Sequence, residues 1–231
     1  MSMTYGKTRW KRFAIVMVPS LAATAAIGVS IAQSALAASF SVSGQSFKVT
    51  TDHLRGTNFS QFGSVDMQAD NKTPHVIAVS AFDHATIHNL CQSVVTNLGP
   101  LGQWTLQLHA GTAAEANPTD DQNAYDPSTD AGQVQATNLL IDLDELQGDA
   151  TFHSIAIGQD ASTLPGTAAQ GFKPNPHTGA SGLPTGAQGF AQSAPQAELH
   201  GVKQEAWATS AGTFKLPSLK LNITQGANEC Y

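Results

Sequence analysis

Basic residues are scarce in this chain and unevenly placed. Four of its 11 Lys and Arg, namely Lys7, Arg9, Lys11 and Arg12, crowd the amino terminus, so the rest of the 231 residues sets few cations against 17 Asp and Glu. Such a surface repels phosphate backbones and offers no polybasic grip on anionic lipid. No nucleic-acid partner is expected. Long apolar stripes at helical spacing are also missing beyond residue 38, which leaves helix a minor component at most. Reaction signatures are lacking too: there is no Gly-x-Ser-x-Gly turn, no phosphate-cradling Gly loop with its lysine, and no paired-cysteine zinc motif. The nearest fragments, Gly179 to Gly182 and Gly44 to Phe47, read as ordinary turns. The residues themselves therefore assign no catalytic group, no cofactor and no metal ligand.

What is present begins with an address. After the four basic residues comes an uncharged, mostly apolar run from Phe13 to Ile31, and Ala35, Leu36 and Ala37 follow with small residues where a signal peptidase reads them. Residues 1–37 are thus expected to be a signal peptide cleaved between Ala37 and Ala38, leaving residues 38–231 as one secreted domain. The rival reading is a retained anchor, since the run approaches the ~20 residues that span a bilayer; Pro19, Ser20 and Thr24 weaken it. Both cysteines, Cys91 and Cys230, fall in the exported part, where an even count predicts one disulfide.

Beyond Ala38 the segments are short and rich in Val, Ile, Leu, Phe and Thr with period-two alternation, as in 39–50, 104–110 and 139–143. One unit recurs: Ala85 to Leu90, Ala150 to Ile155 and Ala197 to Val202 each read Ala, any, large apolar, His, small residue, apolar. Weaker relatives start at Leu54 and Leu216. The small residue suits a kink or bulge in a strand. Its uneven spacing excludes a strict solenoid, and the expected fold is mainly β, a β-sandwich or irregular β-helical stack with long Gly/Pro-rich insertions.

Two insertions interrupt it. Residues 110–133 carry five acidic residues and read as an exposed acidic loop. Residues 162–196 are rich in Gly, Pro, Ala, Gln and Ser, and read as a mobile loop. Within that loop Ala-Gln-Gly-Phe occurs twice, placing Phe172 and Phe190 as candidate ligand-contacting anchors.

His88, His153 and His200 occupy equivalent places in the three units. Stacked units would bring three imidazoles together, a set that zinc uses. The simpler reading is that alternation turns each outward as a solvated strand residue.

Three stretches carry a resemblance: Thr8 to Ala14, Asn89 to Ser93, and Ala206 through Phe214 to Tyr231. On these the chain resembles a family of exported actinomycete proteins of unassigned function, several of which are labelled cholesterol esterase. The resemblance implies a secreted carboxylic ester hydrolase acting on sterol fatty-acid esters, without identifying a nucleophile. The residues themselves favour a non-catalytic extracellular or envelope-associated β protein holding an apolar small molecule or a neighbour.

Overall fold

The computed structural model describes residues 44–68, 73–112, 132–164 and 189–231. Nine strands dominate them: β1 (Phe47–Met67), β2 (Pro74–His88), β3 (Leu90–Asn97), β4 (Gln103–Ala110), β5 (Val134–His153), β6 (Ala156–Asp160), β7 (Phe190–Ser210), β8 (Thr213–Lys215) and β9 (Lys220–Gln225). Helix is limited to single 3-10 turns at Gly99–Leu101 and Ala161–Thr163. The mainly β expectation holds.

All strands join one antiparallel sheet in the order β6-β7-β5-β2-β1-β3-β4-β9, with β8 on β5. Because β7 pairs with β1 as well as with β5, the four long strands β1, β2, β5 and β7 close into a ring. Closure removes the sheet edges of these strands, which would otherwise invite further pairing. Inside the ring lie Leu54, Phe59, Phe82, Ile87, Leu139 and Leu199, with Phe59 tilted against Phe82 and Phe152 at 5.3 and 4.9 Å. A second, smaller core joins Phe62, Ile77, Val79 and Ala81 to Ala161, Leu164 and Ala191.

The repeated unit is a kinked strand, as its small residue predicts. Asn89, Ser154 and Gly201 all take left-handed backbone, with φ of 52, 56 and 58°, and Ser218 in the weaker relative follows at 54°. In the relative beginning at Leu54, the kink falls at Asn58 (φ 51°) rather than at Gly56. Each kink slips the alternation by one. On β7 the buried positions are Ala197 and Leu199 before Gly201, then Val202, Gln204 and Ala206 after it.

The long insertion is shorter than its composition suggests. Phe190 to Gln196 form the first third of β7, Ala161 to Thr163 form a turn, and Leu164 is buried. Ala191, Ala194 and Ala197 allow close packing there, so the small residues that suggest a loop instead line an inward strand face. Ala110 likewise belongs to β4 and marks the start of the acidic segment. Residues 113–131 and 165–188, with Phe172, and the expected cleavage site at Ala37 and Ala38 lie outside the described residues.

Candidate functional site

A cavity of about 410 Å³ opens inside the ring where β1 passes between β3 and β7. Leu54, Ile87, Leu139, Phe47, Phe214 and Leu216 are among the side chains that line it. This volume is within the range of small-molecule pockets, and the lining is mostly apolar. Ile87 and Leu90, on either side of the left-handed Asn89, both face the cavity although strict alternation would turn one of them away, and Thr51 and Leu54 on β1 line it as well.

Polar groups in the lining are few. Val49 pairs with Gln92 on β3 and with Gln204 on β7, so the two amides flank Val49 on one rung of the sheet, and all three face the cavity. Gln204 is buried and Gln92 half-buried. Their amides both donate and accept, so they can meet a polar group of a guest. The Thr51 hydroxyl is already committed, 2.6 Å from the His88 carbonyl oxygen and 3.0 Å from that of His53.

On the reverse face of the same strands lies a row of imidazoles. His53 pairs in register with His88 on β2 and with His200 on β7, and His200 pairs in turn with Asp149 on β5. The His53 ring stacks on His200 at 4.2 Å and on His88 at 5.4 Å. One rung further, Arg55 stands between Thr86 and Glu198, and its Nε lies 3.1 Å from the Glu198 carboxylate. His53 is only 2% exposed and its Nε2 has no hydrogen-bond partner. Burial, then the neighbouring His200, Arg55 and His88, push its pKa down to about 4, so the ring is neutral at pH 7.

The structure thus brings His88 and His200 together, as their equivalent positions suggest, but around His53. His153 stays apart from them. It pairs with Gln196, four residues along β7 from His200, whose own partner on β5 is Asp149. Neither His88 nor His200 is a freely solvated strand residue; both are partly shielded by their neighbours. His53 escaped notice because it stands just before the weaker relative that begins at Leu54 and not inside a full copy; only pairing places it opposite two copies. Gln92 and Gln204 gave no signal beyond alternating with apolar residues.

Elsewhere, Asp66 and Asp142 approach each other. Burial, then repulsion from Asp66, raises the Asp142 pKa to about 8, and burial also raises that of Asp66. The pair accordingly keeps a shared proton near neutrality.

Phe190 is 65% exposed at the start of β7, opposite Asp160 of the edge strand β6, and is absent from the cavity lining. The Cys91–Cys230 disulfide forms as expected, with Cα atoms 6.0 Å apart. It fastens the carboxyl-terminal tail to β3 beside the cavity wall.

A family model described as a family of unknown function, DUF6230, matches residues 43–231. The chain belongs to that family. Comparison with curated proteins and with solved structures gave no match. The family spans the whole ring, both amides of the cavity and the histidine row.

Proposed function

We propose that this DUF6230 member is an exported, non-catalytic protein that holds an apolar small molecule with a neutral hydrogen-bonding group inside its β ring. The observation that carries this reading is the 410 Å³ cavity, aliphatic and aromatic except for the amides of Gln92 and Gln204 and the hydroxyls of Thr51 and Thr209. Each methylene moved from water into such a lining gains about 0.8 kcal/mol, enough for a chain or ring system to bind without any ion pair. The amides accept and donate, so they suit an alcohol, ester or amide group. The disulfide fits an oxidising compartment and hence secretion, with envelope association an alternative destination.

The resemblance to exported actinomycete proteins labelled cholesterol esterase makes sterols and their fatty-acid esters the first ligands to try. Hydrolysis would need an activated hydroxyl at the cavity. Thr51 supplies one, but it is spent on backbone carbonyls with no imidazole ring as its partner, which favours holding over cleaving.

The test is binding of a neutral solvatochromic dye to the full chain, displaced by cholesterol, a cholesteryl ester or a long-chain alcohol. Val49→Trp should fill the cavity and abolish binding while the circular dichroism spectrum and melting temperature are kept. Absence of binding by the folded chain, or unaltered binding by Val49→Trp, overturns the proposal. Release of free cholesterol from the ester would turn it into the hydrolase reading.

A further inference from the structure

We infer that the face behind the cavity is a transition-metal site, in which His53 Nε2, an imidazole nitrogen of His200 and a carboxylate oxygen of Glu198 hold one Zn²⁺. The ligand atoms of these three side chains already lie within 4.8 Å of one another. They come from two adjacent strands, with His53 and His200 cross-strand partners and Glu198 two residues before His200 on the same face of β7.

The second observation is the state of His53. A buried imidazole nitrogen with no hydrogen-bond partner is unusual, because burial without a partner costs free energy that an apolar residue would avoid. A metal supplies the missing partner.

The donor set is borderline rather than hard. Two imidazoles and a carboxylate, without a cluster of oxygen ligands, favour zinc over calcium or magnesium, and three protein ligands leave a fourth tetrahedral place for water. Bond lengths of about 2.0 to 2.2 Å separate ligands on a tetrahedral ion by roughly 3.3 Å, so the side chains must draw in from the distances they hold. His53 is buried, Glu198 nearly so, and His200 is partly exposed. Arg55 holds Glu198 through Oε1, which leaves the other carboxylate oxygen for the ion. Its guanidinium orients that carboxylate as an outer partner, at some cost in cation affinity.

The test uses the full chain stripped with a chelator, then titrated with Zn²⁺ against a chromophoric competitor and, separately, with Co²⁺ followed by visible absorption. One equivalent of zinc, a rise in melting temperature and Co²⁺ bands of tetrahedral intensity are expected. His200→Ala and Glu198→Gln should each weaken zinc by about tenfold or more, and His153→Ala, outside the group, should leave it unchanged. These two positions carry the test even if His53→Ala fails to fold. Zinc binding that neither variant alters, binding lost with His153→Ala instead, or no binding by the folded chain overturns the inference. Since the ion sits on the reverse face, dye binding in the cavity is scored independently.

Discussion

His53 and Asp142 show at the residue scale how burial sets protonation in opposite directions. The imidazole is ordinarily half-protonated near pH 6.5 but in the fold only near 4. Between those values the unfolded chain takes up a proton that the folded chain refuses, so this stabilisation, full above pH 6.5, is lost as pH falls toward 4. Urea midpoints measured with chelator present should drop across this window in the parent and fall less steeply in His53→Phe, which keeps a ring for His200 to stack on. Asp142 works the other way. Its pKa is raised from 3.8 to about 8, so the folded state retains a proton that the unfolded chain gives up, and stability from this group declines as pH rises through that interval. Asp142→Asn removes the repulsion with Asp66, and its urea midpoint relative to the parent should climb between pH 5 and 8.

At the scale of the element, the kinks at Asn89 and Gly201 shift which side chains of β2, β3 and β7 face inward. Left-handed backbone costs a residue bearing a Cβ about 1 to 2 kcal/mol, and Asn, Ser and Gly carry it most cheaply. Gly56 obeys a different constraint. Its backbone is ordinary, but a Cβ there would stand 2.3 Å from Phe82 Cδ1 and 3.0 Å from the His84 carbonyl oxygen. Phe82 is buried against Phe59 and has nowhere to go. Gly56→Ala should therefore destabilise the chain by roughly 1 to 3 kcal/mol through overpacking, seen as a lower urea midpoint, whereas Gly63→Ala, with open space around it, should not. The kinked unit was legible in the sequence because its small residue falls at one position in every copy. Asn58 and Asn138 were not, since no His or Ala frames them.

For the whole molecule, the tail acts as a tie. Beyond the disulfide, the Cys230 amide donates to Ser93 Oγ at 3.0 Å, Lys48 meets Glu229 at 3.0 Å, and Lys48 and Lys203 lie over the Tyr231 ring. The bridge spans 139 residues, for which the chain-entropy argument gives roughly 4 to 5 kcal/mol and engineered examples often less. Replacing both cysteines by Ser should lower the urea midpoint by the equivalent of about 2 to 4 kcal/mol. Dye affinity should fall with it, because Leu90 and Gln92 flank Cys91 in the cavity wall. A double variant with the parent's midpoint would show that the remaining tail contacts suffice.

Alternation and turn chemistry are local, so the sequence by itself determined the β class, the strand kinks and, with only two cysteines in the chain, their pairing. Ring closure rests on pairs far apart in the chain, such as Phe47 with Ala206 and Ala78 with Leu143, which no local pattern encodes. The same distance hid the site. Gln92 and Gln204 are ordinary strand residues until β1 passes between them, and His53 gains its neutral, unpartnered nitrogen only when two other strands press His88 and His200 against it. Register placed these groups together, and burial gave them their chemistry.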